Sequence, residues 1–202
     1  MFIETGKGWV LAITGCMFSG KTKKLARVVE DLVRAKRKVK IFVPKTDNRK
    51  TRSLELELSK LGVPVPKTTH FKSDKPLQIL RLADDNVDAV VFDEAQFIVN
   101  RKAIRDFVLV LGKLRKRRLL VVVAGLDTDY LHRPFGAMPY VLAVADDVMK
   151  RYARCVKCGE KATYTQRLDK KGRPVSKNSD LIVVGDKGTY EARCDKCFEV
   201  VD

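Results

Sequence analysis

The 202-residue sequence predicts an α/β fold, a mostly parallel sheet flanked by helices, followed by a small cysteine-rich unit. Three observations predict it. Short apolar runs alternate with helix-like stretches from residue 9 to residue 148. A glycine-bearing loop, Gly15-Cys16-Met17-Phe18-Ser19-Gly20-Lys21-Thr22, stands where the first apolar run gives way to the first helix. Four of the five cysteines form two C-x-x-C pairs near the end of the chain. Strands that alternate with helices favour parallel pairing, with ligands at the strands' carboxyl ends.

The first element is the strand Trp9-Val10-Leu11-Ala12-Ile13-Thr14. The loop after it fits G-x-x-x-x-G-K-[ST], whose backbone N–H groups wrap a nucleotide's phosphates, with a lysine for the β/γ oxygens and a hydroxyl for Mg²⁺. Gly15, Met17, Phe18, Ser19, Gly20, Lys21 and Thr22 are therefore expected to contact ATP, with Thr22 also on the metal. Leu25, Val28, Val29, Leu32 and Val33 then recur at helical spacing and put one apolar stripe on a helix that starts at the loop. Its free N–H groups and positive dipole end point where the phosphates would sit. A glycine-rich turn without a ligand would account for the glycines, but not for Lys21 followed by Thr22. The expected architecture is thus of the P-loop NTPase type.

Val39 to Val43 is the second strand, and Pro44 to Arg52 is polar and breaks the pattern. Ser53 to Ser59 reads S-L-E-L-E-L-S, alternating like a strand although leucine and glutamate favour helix, so both assignments stay open. After Pro64 and Pro66, Pro76 to Ala83 reads as a helix, Asp88 to Phe92 as a buried strand, Arg101 to Leu111 as a helix and Leu119 to Ala124 as another buried strand. Ala137 to Val148 is expected to be a helix packed on the sheet. No internal repeat is visible.

The strand ending at Phe92 leads into Asp93-Glu94-Ala95-Gln96-Phe97. An apolar strand ending in acid matches the second nucleotide motif: Asp93 can hold Mg²⁺ opposite Thr22, and Glu94 can act on the attacking group. Asp-Glu after a strand is, taken alone, more often a helix-capping turn; the preceding phosphate loop reverses that preference.

Forty-one Lys and Arg against 25 Asp and Glu give a net charge of +16, a field that attracts anions. The basic runs Lys36-Arg37-Lys38 and Lys113 to Arg118 carry no interleaved aromatics and read mainly as solvated faces, a nucleic-acid surface being the lesser reading. No run approaches the ~18 apolar residues of a membrane span, and Met1-Phe2-Ile3-Glu4 lacks the order of a signal peptide, so a cytosolic protein is expected.

Cys155/Cys158 and Cys194/Cys197 are two knuckles, each presenting two thiolates to one ion, and together they complete a tetrahedral S₄ shell. Zinc is the natural occupant, and a shell filled by protein makes the ion structural. Disulfides are disfavoured in a cytosolic setting, and an iron–sulfur cluster is a lesser rival. Cys16, inside the phosphate loop, is explained by small size and tight packing. These features divide the chain into a nucleotide-binding domain, 1–153, and a zinc-ribbon domain, 154–202.

Taken together, Gly15 to Thr22 with Met-Phe-Ser inside, Phe92-Asp93-Glu94-Ala95-Gln96-Phe97, Gly125-Leu126-Asp127 followed by Arg133-Pro134-Phe135-Gly136, and the two C-x-x-C pairs with Tyr190 before the second resemble the type II thymidine kinases, in register from about residue 9 to about residue 198. The resemblance implies a P-loop α/β domain with a small zinc-bearing domain whose lasso loop closes over the nucleoside. It implies transfer of phosphate from Mg-ATP to the 5′-hydroxyl of thymidine and deoxyuridine, with Glu94 as general base, Lys21 and Arg49 as supporting charges, and a homotetramer. It places Met17, Leu126, Tyr130, Phe135, Val183 and Tyr190 around the base, the main chain of Leu181, Val183, Val184 and Gly185 on the thymine edge, and Asp47, Gln96 and Phe97 at the substrate. Three departures from the family pattern stand out: no histidine in Thr51 to Val65, Gly185-Asp186 where Gly-Gly is usual, and Tyr130 where phenylalanine is common. The competing function is a nucleic-acid-stimulated P-loop ATPase that uses Lys21, Thr22, Asp93 and Glu94 with water. A nucleotide-binding regulator without catalysis is a third reading, opposed by the intact Glu94.

Overall fold

In a computed structural model, the described residues are 7–47, 53–83, 86–183, 185 and 188–202. Arg49, Val184 and Asp186 lie outside them. The elements run β1 (Trp9–Gly15), α1 (Lys21–Arg34), β2 (Val39–Pro44), α2 (Ser53–Lys60), β3 (Thr68–Phe71), α3 (Ile79–Leu82), β4 (Ala89–Phe92), α4 (Arg101–Lys116), β5 (Leu120–Gly125), α5 (Met138–Val144), β6 (Asp147–Arg151), β7 (Ala153–Arg154), β8 (Lys161–Ala162), β9 (Tyr164–Arg167) and β10 (Tyr190–Arg193). Strands β1 to β6 form one sheet in the order β3-β2-β4-β5-β1-β6, and every pairing in it is parallel.

The two faces of this sheet carry separate cores, because successive strand residues point to opposite sides. In β1, Val10 and Ala12 pack with α4 and α5, while Leu11 and Ile13 pack with α1 and α2. The stripe expected on α1 is the one it buries: Leu25, Val28, Val29 and Leu32. On the other face, Phe92 stacks on Phe42 at 5.5 Å and meets Phe107 edge-on at 5.0 Å. These contacts anchor the strand end from which Asp93 and Glu94 emerge.

Ser53 to Lys60 is a helix. Leu54 and Leu58, four residues apart, are buried while Leu56 is exposed, a helical spacing that a strand would not produce. Pro76 to Ala83 divides into a 3-10 turn, Pro76–Gln78, and α3. The basic run from Lys113 is largely the last turn of α4, whose exposed cations flank the buried Leu114. Ala137 to Val148 is not one helix: α5 stops at Val144 and β6 begins at Asp147. Asp146 makes the break, since its carboxylate accepts from Val10 N at 2.8 Å and its N–H donates to Val10 O at 2.8 Å, clipping the chain to the start of β1. A side chain that competes for backbone groups ends a helix in this way.

The remaining segment forms two short antiparallel ribbons, β7 with β8 and β9 with β10. A turn between β5 and α5 recurs between β9 and β10. Asp129 accepts from the N–H groups of Leu131 and Arg133, both at 2.9 Å, and pairs with the Arg133 side chain. Asp169 does the same with Lys171 and Arg173, at 2.8 and 2.9 Å. Both strings read D-x-x-x-R-P, and both turn on a left-handed residue, His132 (φ 62°) or Gly172 (φ 74°). Among the described residues, no helix is long and apolar enough to cross a membrane.

Candidate active site

The phosphate loop is shaped by two glycines with positive φ. At Gly15 (φ +136°) an added Cβ would lie 2.1 Å from Arg151 O, so no other residue fits. Gly20 (φ 80°) caps α1 without a side chain, which leaves the first N–H groups of a 14-residue helix for an anion. Lys21 folds back over the loop, its Nζ donating to Cys16 O at 2.8 Å. Burial pulls its ammonium below the usual lysine range, while Glu94, Cys16, Asp93 and Asp127 oppose that pull. Ser19 Oγ is buried with no hydrogen-bond partner among the described residues. A bare helix end, an orphaned hydroxyl and a lysine among acids fit a polyphosphate.

The loop leans on the C-terminal segment. Cys16 Sγ donates to Ala162 O at 3.4 Å, and Met17 N donates to Thr165 Oγ1 at 3.0 Å. Cys16 also belongs to a small core with Ala153, Cys155, Ala162, Ala192 and Cys194.

At the end of β4, Asp93 N donates to Phe42 O at 3.1 Å and Asp93 Oδ1 accepts from Glu94 N at 3.0 Å. Asp93 and Thr22 are both half-buried. A carboxylate and a hydroxyl make the all-oxygen donor set that Mg²⁺ takes. Glu94 itself sits in the left-handed region, φ 56° and ψ 38°, where a non-glycine residue costs on the order of 1–3 kcal/mol and persists only when its surroundings impose it. Gln96, 1% exposed, is among those surroundings. Its Nε2 donates to Glu94 Oε2, and its Oε1 accepts from Leu126 N at 3.1 Å. Gly125 makes room for it, since a Cβ there would lie 2.6 Å from Gln96 Oε1.

Beside Glu94 opens a cleft lined by Met17, Glu94, Gln96, Phe97, Leu126, Asp129, Tyr130, Phe135, Thr165, Leu181, Ile182, Val183, Gly185 and Tyr190. Phe97 and Phe135 meet edge-on, ring centres 6.4 Å apart. Eleven residues expected from the sequence at the reacting group or the nucleoside meet in this one cavity: Met17, Glu94, Gln96, Phe97, Leu126, Tyr130, Phe135, Leu181, Val183, Gly185 and Tyr190. Asp47 does not line it; it is buried in the turn after β2, its N–H donating to Pro44 O at 3.0 Å. Asp129 and Thr165 were missed. Asp129 could have been found from the repeated D-x-x-x-R-P string, whereas Thr165 carries no local signal and reaches the site only because β9 packs on the phosphate loop.

Cys155, Cys158, Cys194 and Cys197 place their sulfurs within 4.8 Å of one another. A tetrahedral ion with ~2.3 Å bonds to sulfur needs such a spacing. All five cysteines are free thiols, which removes the disulfide alternative. Burial opposes ionisation of Cys155, but backbone N–H groups of Cys194, Cys158 and Lys157 outweigh it and hold the thiol to about 6. A Cys₄ set with no other donor suits structural zinc.

A family model described as thymidine kinase matches residues 8–198. Among curated proteins, a thymidine kinase of Coprothermobacter proteolyticus (strain ATCC 35245 / DSM 5265 / OCM 4 / BT) is 41% identical over 205 residues, covering 99% of this chain and 95% of the relative. With the phosphate loop, the acid-tipped strand, the cleft and the four-cysteine cluster in one arrangement, the chain belongs to the thymidine kinase family.

Proposed function

We propose that this protein transfers the γ-phosphate of Mg-ATP to the 5′-hydroxyl of thymidine, and of deoxyuridine, giving the nucleoside monophosphate and ADP. The observation that carries the reading is the place of Glu94: it lines the cleft, while its charge favours the ammonium of Lys21 in the phosphate loop. It stands at the junction where an acceptor hydroxyl and a donor phosphate must meet.

In this reading Glu94 accepts the 5′-hydroxyl proton as the sugar oxygen attacks the γ-phosphorus, and the bond to the β-phosphate oxygen breaks. Lys21 and the N–H groups of Gly15, Met17, Phe18, Ser19 and Gly20 hold the phosphates and their growing charge. Thr22 and Asp93 would hold Mg²⁺, which when bound would neutralise phosphate charge. Arg49 is assigned to the same charge, and Asp47 to the sugar. Met17, Phe97, Leu126, Tyr130, Phe135, Val183 and Tyr190 wall the base, and the main chain of Leu181, Val183, Val184 and Gly185 reads its edge. A backbone rim set for thymine offers cytosine's amine the wrong partner.

Gln96 orients the base. With Oε1 taken by Leu126 N–H, its amide must present N–H to Glu94, which fixes one carboxylate oxygen. Gln96→Leu is expected to lower kcat about ten- to a hundredfold, because small misplacements of a reacting group cost that much; steady-state rates at saturating thymidine and ATP give the answer.

The division into 1–153 for ATP and 154–202 for zinc and the lasso, a cytoplasmic location and a homotetramer belong to the same proposal. Purified protein with Mg-ATP is expected to convert thymidine to its monophosphate without nucleic acid. ATP turnover that depends on DNA and ignores thymidine would instead favour the P-loop ATPase.

A further inference from the structure

We infer that Tyr130 and Arg167 are positioning residues that hold the nucleoside-binding segment in the shape that lines the cleft; the inference rests on the nucleoside reading of the cleft. Tyr130 has two roles at once. It lines the cleft, and its hydroxyl meets main-chain carbonyls of the segment that leads into Leu181, Ile182 and Val183. The hydroxyl lies 2.8 Å from Ser179 O, 3.2 Å from Lys177 O and 3.5 Å from Ser176 O. One proton is donated to one carbonyl at a time, and the best placed is Ser179 O. The others surround the same donor, so the chain is wrapped around the tyrosine tip.

Arg167 completes the tie from below. Its guanidinium packs on the Tyr130 ring, 3.7 Å from the ring centre, and Nη1 donates to Asp180 O. Arg167 is 2% exposed, and its Nη2 is buried with no hydrogen-bond partner among the described residues. A buried cation that has no carboxylate partner among the described residues and is left one hydrogen bond short among them contributes poorly to stability. What it does achieve is to pin one carbonyl and support one ring. Further along, Tyr190 donates from its hydroxyl to Val183 O at 2.6 Å.

The carbonyls of Ser179, Asp180 and Val183 are therefore drawn onto side chains of the scaffold. Tyr130 is itself fixed by the loop that carries it, where Asp129 holds the N–H groups of Leu131 and Arg133. Arg167 lies on β9, paired with β10 through Tyr190. Both anchors are held by the scaffold, so the shape of the segment depends on them.

Tyr130→Phe isolates the proposal, because it removes one oxygen and leaves the ring over Arg167. In nucleoside-free protein, amide hydrogen exchange across residues 176–183 should quicken about tenfold, the scale set by one hydrogen bond. The thymidine KM should rise about tenfold, for the same reason, with kcat changed by less than about twofold. Unchanged exchange overturns the tie. Faster exchange with an unchanged KM shows that the tie is only structural and overturns the positioning role. Wild-type protein that does not phosphorylate thymidine would overturn the reaction proposed above, and exchange alone would then decide whether the tie exists.

Discussion

Replacing Glu94 with glutamine is expected to lower kcat about a thousandfold while ADP still binds. The magnitude follows from the general base, whose removal costs about 10² to 10⁴. Glutamine keeps the length and planar end of glutamate but cannot take a proton. It can still fill the same position at the end of β4, so the left-handed backbone and the phosphate loop need not change. ADP binding depends on the Gly15–Gly20 cradle and Lys21, which Glu94 influences through its charge. Loss of a negative neighbour leaves Lys21 with Asp93 and Asp127 still favouring its ammonium form. Steady-state turnover of thymidine and a calorimetric ADP titration read the two quantities separately. A variant with kcat within about tenfold of wild type would place the proton acceptor elsewhere and sink the assignment.

The second large effect is expected at the four-cysteine cluster. Wild-type protein should contain about one zinc per chain by elemental analysis, and Cys194→Ser should lose the metal together with thymidine phosphorylation. Zinc binding contributes roughly 10–16 kcal/mol in small finger peptides, comparable to the ~5–15 kcal/mol that holds a whole domain together. The ribbons it joins are short: β7 and β8 have two residues each, and β9 and β10 four each. They have little core of their own beyond Ala153, Ala162, Ala192 and the cysteines. The damage should also spread to the nucleotide. Cys16 and Met17 hydrogen-bond to Ala162 and Thr165 of this segment, so the back of the phosphate loop loses its support when the segment loosens. ADP affinity measured without any nucleoside should therefore fall in the zinc-free variant. Zinc-free protein that binds ADP as tightly as wild type would show that the phosphate loop is self-sufficient.

Much of the site is written in short stretches of chain. Gly15 to Thr22 declares itself because the backbone geometry of a phosphate cradle needs glycines at fixed places, and the clash an added Cβ would meet at Gly15 shows why. Asp93 and Glu94 are visible because an apolar strand ending in acid has few structural explanations. The C-x-x-C pairs are visible because two ligands on one knuckle require close spacing. Periodicity was less dependable where two periods competed. The S-L-E-L-E-L-S run alternates like a strand, yet helix propensity and packing of Leu54 and Leu58 decided it.

The sequence by itself determined the phosphate loop, the acid-tipped strand, the cysteine ligand set and the α/β class, since each depends on residues close together in the chain. The tertiary structure alone decided that Asp146 breaks a helix to seat β6 on β1, that Gln96 links Glu94 to Leu126, that Thr165 backs Met17, and that Tyr130 ties Ser179. These contacts join residues 136, 30, 148 and 49 positions apart. No local pattern encodes such a pair, because neither partner's neighbours constrain the other; they meet only once the sheet has stacked its strands and the C-terminal ribbons have packed against the phosphate loop.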